Sequence, residues 1–446
     1  MVRLIHAGTP QFSRFMRELA RRRSGGDNAQ IDVRVREIIA DVRRRGDRAL
    51  VDLTARFDGV KLRRGELRAE PEELTAALAG LQAPERATLK LAARRIADFH
   101  RRTLEASFAF RDSVGVRMGL MVRPLARVGI YVPGGLAPYP SSVLMNAMAA
   151  RAAGVREIAM VSPPAKSPRA SAILMAAAAV AGVSEFYRVG GAQAVAALAY
   201  GTPSIPAVDK IVGPGNSWVQ AAKRAVYGVV DIDKIAGPSE VLVIADQSAR
   251  PQWVAADLIA QAEHGSGDES ALLITTSPAL ARNVAAALEA ATHTLPHGDG
   301  VRRVLARRGA IIVVDSLEEA FELANRVAPE HLELEIRRPR RWLGRIRAAG
   351  AVFLGANSPA PLGDYLAGPN HVLPTGGSAR FASPLGAYDF VVRTSIIQAS
   401  AAAMKRLGPA AAAFARMEGF EGHARAIDLR LERLRRGGVA SPRQRG

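Results

Sequence analysis

The chain has 446 residues, a formal charge of +19 and no cysteine. Its length exceeds the roughly 100–200 residues of one ordinary domain, and 48% hydrophobic with 23% charged residues excludes a disordered chain. The lack of cysteine excludes a disulfide framework, a thiolate nucleophile and sulfur metal ligands, so any metal site must use nitrogen and oxygen.

A basic chain invites a nucleic-acid reading. Here arginine is dispersed over Arg21–Arg23, Arg43–Arg45, Arg337–Arg341 and Arg433–Arg436, and aromatics are only 5%, too few for base-stacking platforms. No apolar core precedes a cleavage site near Met1, and the longest apolar run, Ala172 to Val183, is shorter than the ~18–20 residues of a membrane span. The expectation is a cytoplasmic protein without nucleic-acid or membrane partners.

In chain order, the first stretch to Arg23 reads as a short polar helix or arm, broken by Ser24-Gly25-Gly26-Asp27. Ile31, Val35, Ile38, Ile39 and Val42 recur at helical spacing. Two more helices are predicted near 71–81 and 84–105. From Ala126 the rhythm changes. Strands Val128–Val132, Glu157–Val161, Glu185–Val189 and Asp209–Val212 alternate with helices, as in a parallel doubly wound sheet. A second series follows: Val241–Ala245, Leu272–Thr275, Ile311–Val314, Leu332–Ile336 and Ala351–Leu354. Two such series predict two α/β domains with a cleft at the carboxyl ends of their strands. After Gly376 the strands stop, and helices are predicted over 397–416 and 420–436. The basic tail from Arg433 reads as a frayed terminus.

Three glycine-rich turns end strands in the first series: Pro133-Gly134-Gly135, Gly190-Gly191 and Gly213-Pro214-Gly215. Their exposed N–H groups suit a pyrophosphate, although none matches G-x-G-x-x-G; taken singly each reads first as a plain strand-to-helix turn, and three in one domain favour a nucleotide site. Tyr131, Gln193 and Asn216 lie at these turns. Of eight histidines, His264 follows Gln261 by one helical turn, His371 shares a loop with Asp364, and His423 follows Glu418. Two imidazoles, a carboxylate and an amide oxygen are a set zinc accepts, though each histidine also fits a cap or surface role. Glu330-His331, leading into a strand, is a workable acid–base pair or an ordinary polar loop.

These motifs resemble those of the histidinol dehydrogenases. The likeness is carried by Ile130-Tyr131-Val132-Pro133-Gly134-Gly135, Val189-Gly190-Gly191-Ala192-Gln193-Ala194, Val212-Gly213-Pro214-Gly215-Asn216, Ala236-Gly237-Pro238-Ser239-Glu240, Gln261-Ala262-Glu263-His264-Gly265, Ala328-Pro329-Glu330-His331-Leu332 and Asn370-His371-Val372-Leu373-Pro374-Thr375. It implies an α/β fold with two incomplete Rossmann-like, aldehyde-dehydrogenase-like domains and small helical terminal segments. The expected division is an arm over 1–25, a discontinuous catalytic domain over 26–126 and 240–378, an NAD-binding domain over 127–239, and a C-terminal segment over 379–446 serving the partner's site.

The resemblance further implies a homodimer that oxidises L-histidinol to L-histidine through L-histidinal, at the end of histidine biosynthesis. It implies one zinc per subunit on Gln261, His264, Asp364 and His423, the last lent by the partner, with the metal orienting the substrate. Substrate contacts would come from Ser239, Gln261, His264, His331, Asp364, His371, Glu418 and His423. NAD would meet Tyr131, Gln193 and Asn216. Neutral His331 would be the base for the alcohol and Glu330 the base for water. The segment between Asn216 and Ser239 is slightly short for the family and touches none of these positions. A dehydrogenase of another diol or amino alcohol, or a basic nucleic-acid-binding protein, are the competing readings.

Overall fold

A computed structural model describes residues 2–23, 29–134, 138–264 and 267–436. The predicted break at Ser24-Gly25-Gly26-Asp27, Gly135 of the first glycine turn, Gly265 and the tail from Gly437 lie outside the described residues. The chain divides into two units. One comprises residues 1–104 and 125–390, the other 105–124 and 391–446.

The larger unit holds two six-stranded sheets. The first runs Arg3–His6, Ala310–Val313, Ser270–Thr275, Glu240–Ala245, His331–Glu335, Ala351–Leu354, with every pair parallel. Its strands are continuous apolar runs such as VLVIA and AIIV because both faces are covered. Val241 and Val243 pack beneath helices Pro251–Ala262 and Pro278–Thr294, while Leu242 and Ile244 face Phe321, Phe15 and Leu19. Each such fully buried side chain contributes about 1.5–3 kcal/mol. The N-terminal stretch read as a helix or arm is therefore a strand and a helix. Arg3–His6 adds an edge strand to this sheet, and Pro10–Arg23 covers one of its faces.

The second sheet runs Arg68–Ala69, Glu185–Tyr187, Glu157–Val161, Arg127–Tyr131, Lys210–Val212, Asp231–Ile232. Only the short Arg68–Ala69 strand is antiparallel. Helices Ala29–Arg45, Gly191–Tyr200 and Ser217–Val226 cover one face, and Pro71–Gly80, Ala83–Arg101, Pro140–Ala153 and Pro168–Ala181 the other. The sequence reading groups 26–126 with 240–378. In the structure the helices of 29–101 instead supply the apolar cover of the 127–239 sheet, through residues such as Val35, Ile39, Leu89 and Ile96.

The smaller unit is a three-stranded antiparallel sheet, Val391–Ala399, Val116–Pro124, Phe108–Arg111, followed by helices Ala401–Met417 and Glu421–Arg435. The two helices match the expected ones, but the strands were not predicted. The run Val391-Val392-Arg393-Thr394-Ser395-Ile396-Ile397, rich in β-branched residues, carried that signal. No helix among the described residues is long and apolar enough to cross a membrane.

Candidate active site

Strands Glu240–Ala245 and His331–Glu335 are neighbours, with Val241 opposite His331. Ser239 and Glu330 immediately precede them, so this part of the site sits at the amino ends of the first sheet. Ser239 Oγ donates to Glu330 Oε2 at 2.6 Å, and Glu240 N donates to the same oxygen at 2.8 Å. Among the described residues no donor is assigned to Glu330 Oε1. His331 Nδ1 lies 3.0 Å from the Glu240 carbonyl, a contact that holds a proton on Nδ1. Its Nε2 stands 3.5 Å from Asp364 Oδ1 without forming a hydrogen bond. The loop before the strand lets Glu330 and His331 share one site although they are adjacent in sequence.

Burial pushes the Glu330 carboxyl upward, against the opposing pull of His331, Ser239 and the Glu240 N–H. Burial disfavours a charged His331, but the neighbouring Glu330 and Asp364 carboxylates outweigh it and raise the imidazole to about 9. These neighbours favour the protonated imidazole, whereas the sequence reading takes His331 as neutral. Asp364 stays below the usual carboxylate range. Its own burial opposes this, and its contact with His331 overcomes that burial. His371 is pulled down by burial. Its Nδ1 contacts Asp364 O at 3.0 Å and its Nε2 lies 3.3 Å from Ser142 Oγ.

Facing these residues are turns at the carboxyl ends of the second sheet. Pro133, Pro214, Gly215 and Asn216 line the same cleft as Ser239, His264, Glu330, His331, Asp364 and His371. Its volume is about 1610 Å³, beyond the roughly 300–1,000 Å³ of an ordinary small-molecule pocket, so a dinucleotide and a small substrate fit together. The cleft thus joins carboxyl ends of one sheet to amino ends of the other. The sequence reading placed it at carboxyl ends throughout.

Asn216 caps helix Ser217–Val226, its Oδ1 accepting from Trp218 N and Val219 N, which leaves its Nδ2 for a ligand. Tyr131 and Gln193 are 3% and 1% exposed, beneath the turns rather than on the cleft wall. The Tyr131 hydroxyl accepts from Gly191 N at 3.0 Å, so that turn's amide is already spent. Burial pushes the phenol up to about 12. Glu418 and His423 are exposed residues of the smaller unit.

The expected zinc needs correction. Gln261 is buried near the end of helix Pro251–Ala262. His264, just past it, turns Nδ1 back to the carbonyls of Ala260 and Gln261 at 3.2 and 3.1 Å. Asp364 faces His331. Among the described residues no three His, Cys, Asp or Glu side chains form a group able to hold a metal ion, so Gln261, His264, Asp364 and His423 are not a zinc site here.

The sequence model of the histidinol dehydrogenase family matches residues 21–431. The chain belongs to the histidinol dehydrogenase family. It is 51% identical to the histidinol dehydrogenase of Moorella thermoacetica over 418 residues, covering 93% of this chain and 98% of that one. It is 48% identical to that of Cupriavidus pinatubonensis over 437 residues, covering 97% and 98%. The crystal structure of the Elizabethkingia anophelis histidinol dehydrogenase superposes with a TM-score of 0.90 at 33% identity, over 97% of this chain and 99% of that one. The α/β architecture above is thus the fold of the histidinol dehydrogenases, and the chain is an NAD-dependent dehydrogenase.

Sequence reasoning missed a group of buried acids behind His331. Glu333 and Glu335 share the face of His331 by strand alternation. Glu333 Oε1 accepts from Ala360 N at 2.6 Å, tying the strand to the helix that carries Asp364. Charged residues inside a buried parallel strand are anomalous, and that was the available signal. Burial, with Asp257 and Glu335 nearby and His331 opposing, lifts Glu333 to about 8. Burial likewise lifts Asp257 to about 6 and Glu335 to about 7. A carboxyl raised in the fold keeps a proton that the unfolded chain releases above its ordinary pKa of about 4.3, so stability falls as pH rises toward 8. Glu333→Gln keeps the acceptor for Ala360 N and removes this cost. Its melting temperature should match the unaltered chain at pH 5 and exceed it at pH 9, by the equivalent of about 1–3 kcal/mol. Thermal melts across that range check it, and a constant difference would contradict it.

Proposed function

We propose that this chain oxidises L-histidinol to L-histidine through L-histidinal, reducing two NAD and consuming one water. The observation that carries the reading is the arrangement of half-buried Ser239 with buried Glu330 and His331, facing the Asn216 turn across one cleft. NAD, when bound, accepts a hydride in each half of the reaction. The Gly213-Pro214-Gly215-Asn216 turn, with Tyr131 and Gln193 packed below its neighbours, supports it.

His331, once unprotonated, takes the proton of the substrate hydroxyl as hydride leaves carbon. The carboxylates beside it make it a strong base. The resulting aldehyde must then gain oxygen. With no cysteine in the chain, a thiol adduct is closed to it, and water must add directly. Glu330, raised by burial and held through Oε2, takes the water proton at Oε1. His331 then deprotonates the gem-diol. Ser239, Gln261, His264, Asp364 and His371 orient the substrate.

Glu418 and His423 complete the substrate site of a second copy in a homodimer. The smaller unit exposes Ile397, Phe414, Met417 and Phe420, at 76%, 62%, 82% and 53%, an apolar surface that a partner would cover. The enzyme works in the cytoplasm. Purified protein given histidinol and NAD should yield two NADH per histidine. Comparable turnover of another diol or amino alcohol, with little on histidinol, would assign the site to a different substrate.

A further inference from the structure

We propose that Lys223 and Asp233 are positioning residues for the dinucleotide, a buried ion pair that sets the turn beginning at Gly213. The proposal rests on the cofactor reading above. Both side chains are 1% exposed, and Lys223 Nζ meets Asp233 Oδ1 directly. The pair also grips both polar groups of one residue. Lys223 Nζ donates to Gly213 O at 3.0 Å, and Gly213 N donates to Asp233 Oδ2 at 2.9 Å. Gly213 has φ +112°, and a Cβ there would fall 2.1 Å from the Tyr131 carbonyl. The chain therefore passes Tyr131 at backbone contact distance in a conformation only glycine adopts readily, with the ion pair holding it there.

A buried ion pair is a poor way to gain stability, because desolvation offsets the attraction and an apolar pair of similar volume often does as well. Its geometry here is that of a clamp on the two backbone groups of Gly213, the residue just before Pro214 and Gly215 of the cleft lining. The clamp also extends toward the substrate. Gln220 Nε2 donates to Gly215 O at 3.2 Å while its Oε1 accepts from Ala236 N at 2.9 Å. Lys234 Nζ, next to Asp233, donates to Val372 O beside His371 at 3.1 Å. The same segment ends at Ser239, which holds Glu330. Residues 233–239 are thus a strap fixed at one end to the cofactor turn and at the other to the water-activating base.

Asp233→Asn leaves one accepting oxygen where two now serve, so it can accept from Lys223 Nζ or from Gly213 N but not both, and the clamp breaks. The KM for NAD should rise at least 10-fold, with the KM for histidinol changed less than 2-fold. The buried lysine left uncompensated endangers folding of that variant, so the deciding protein is the double substitution Lys223→Met with Asp233→Leu, which removes both charges. It should melt near the unaltered chain yet bind NADH at least 10-fold more weakly in a fluorescence titration. A folded double variant with unchanged NADH affinity overturns the proposal. NADH titration needs no substrate, so a protein that binds NADH through the clamp but does not oxidise histidinol would defeat the histidinol reading alone.

Discussion

Glu330→Gln is expected to abolish histidine formation from histidinal while leaving the chain folded and the first oxidation largely intact. The amide is isosteric, and its oxygen can accept from Ser239 Oγ and Glu240 N as the carboxylate does. What it cannot do is take a proton from water. General-base catalysis by a positioned group is worth about 10²–10⁴-fold, and Glu330 is the carboxylate that Ser239 Oγ and Glu240 N hold beside His331. The rate of NADH production from histidinal should fall by about that factor. NADH production from histidinol should show a single turnover's worth of first-step product, with histidinal accumulating. The substitution also removes a negative charge beside His331, which releases part of the upward pull on the imidazole. The first step should therefore shift to lower pH rather than fail. Separate assays with histidinol and histidinal check this, and equal losses in both would contradict the assignment of Glu330 to water.

The sequence disclosed the alternation of strands and helices because both sheets are buried on two faces, which writes their strands as unbroken apolar runs. Glu157–Val161, Pro168–Ala181 and Ala351–Leu354 lie where that pattern places them. The antiparallel strands of the smaller unit escaped notice because Val391–Ala399 is exposed along nearly all its length and leaves no buried-strand pattern. Arg3–His6 escaped because an edge strand of four residues with two basic side chains reads as a polar arm. The site residues Ser239, Glu330, His331, Asp364 and His371 were legible as motifs, and the structure brings them to one cleft. Periodicity could not reveal which ends of the strands face each other. That depends on the packing of two sheets, whose residues are far apart in the chain. The upward pull on His331 was legible only in part, because Glu330 adjoins it in sequence whereas Asp364, 3.5 Å away in space, is distant in the chain.

His331→Asn should remove both oxidation steps, which separates it from the one-step loss at Glu330. The imidazole is placed by two independent constraints. Its Nδ1 is held on the Glu240 carbonyl, and its strand is registered against Val241 and Ala351. Nε2 is thereby left pointing at Asp364 without a hydrogen bond, which makes it the atom free to meet a substrate proton. Each half-reaction ends in loss of an O–H proton, from the alcohol first and the gem-diol second, and His331 Nε2 is placed to take both. Asparagine can still donate to the Glu240 carbonyl, so the strand junction survives, but it offers no basic nitrogen. Turnover with histidinol and with histidinal should each fall by about 10²–10⁴-fold, with NADH affinity unchanged because the cofactor turn lies on the opposite wall. Removing the imidazole also takes away the contact that keeps Asp364 ionised. Asp364 should then titrate closer to its ordinary range in the variant. A variant that lost only the second step would show that a different group accepts the first proton.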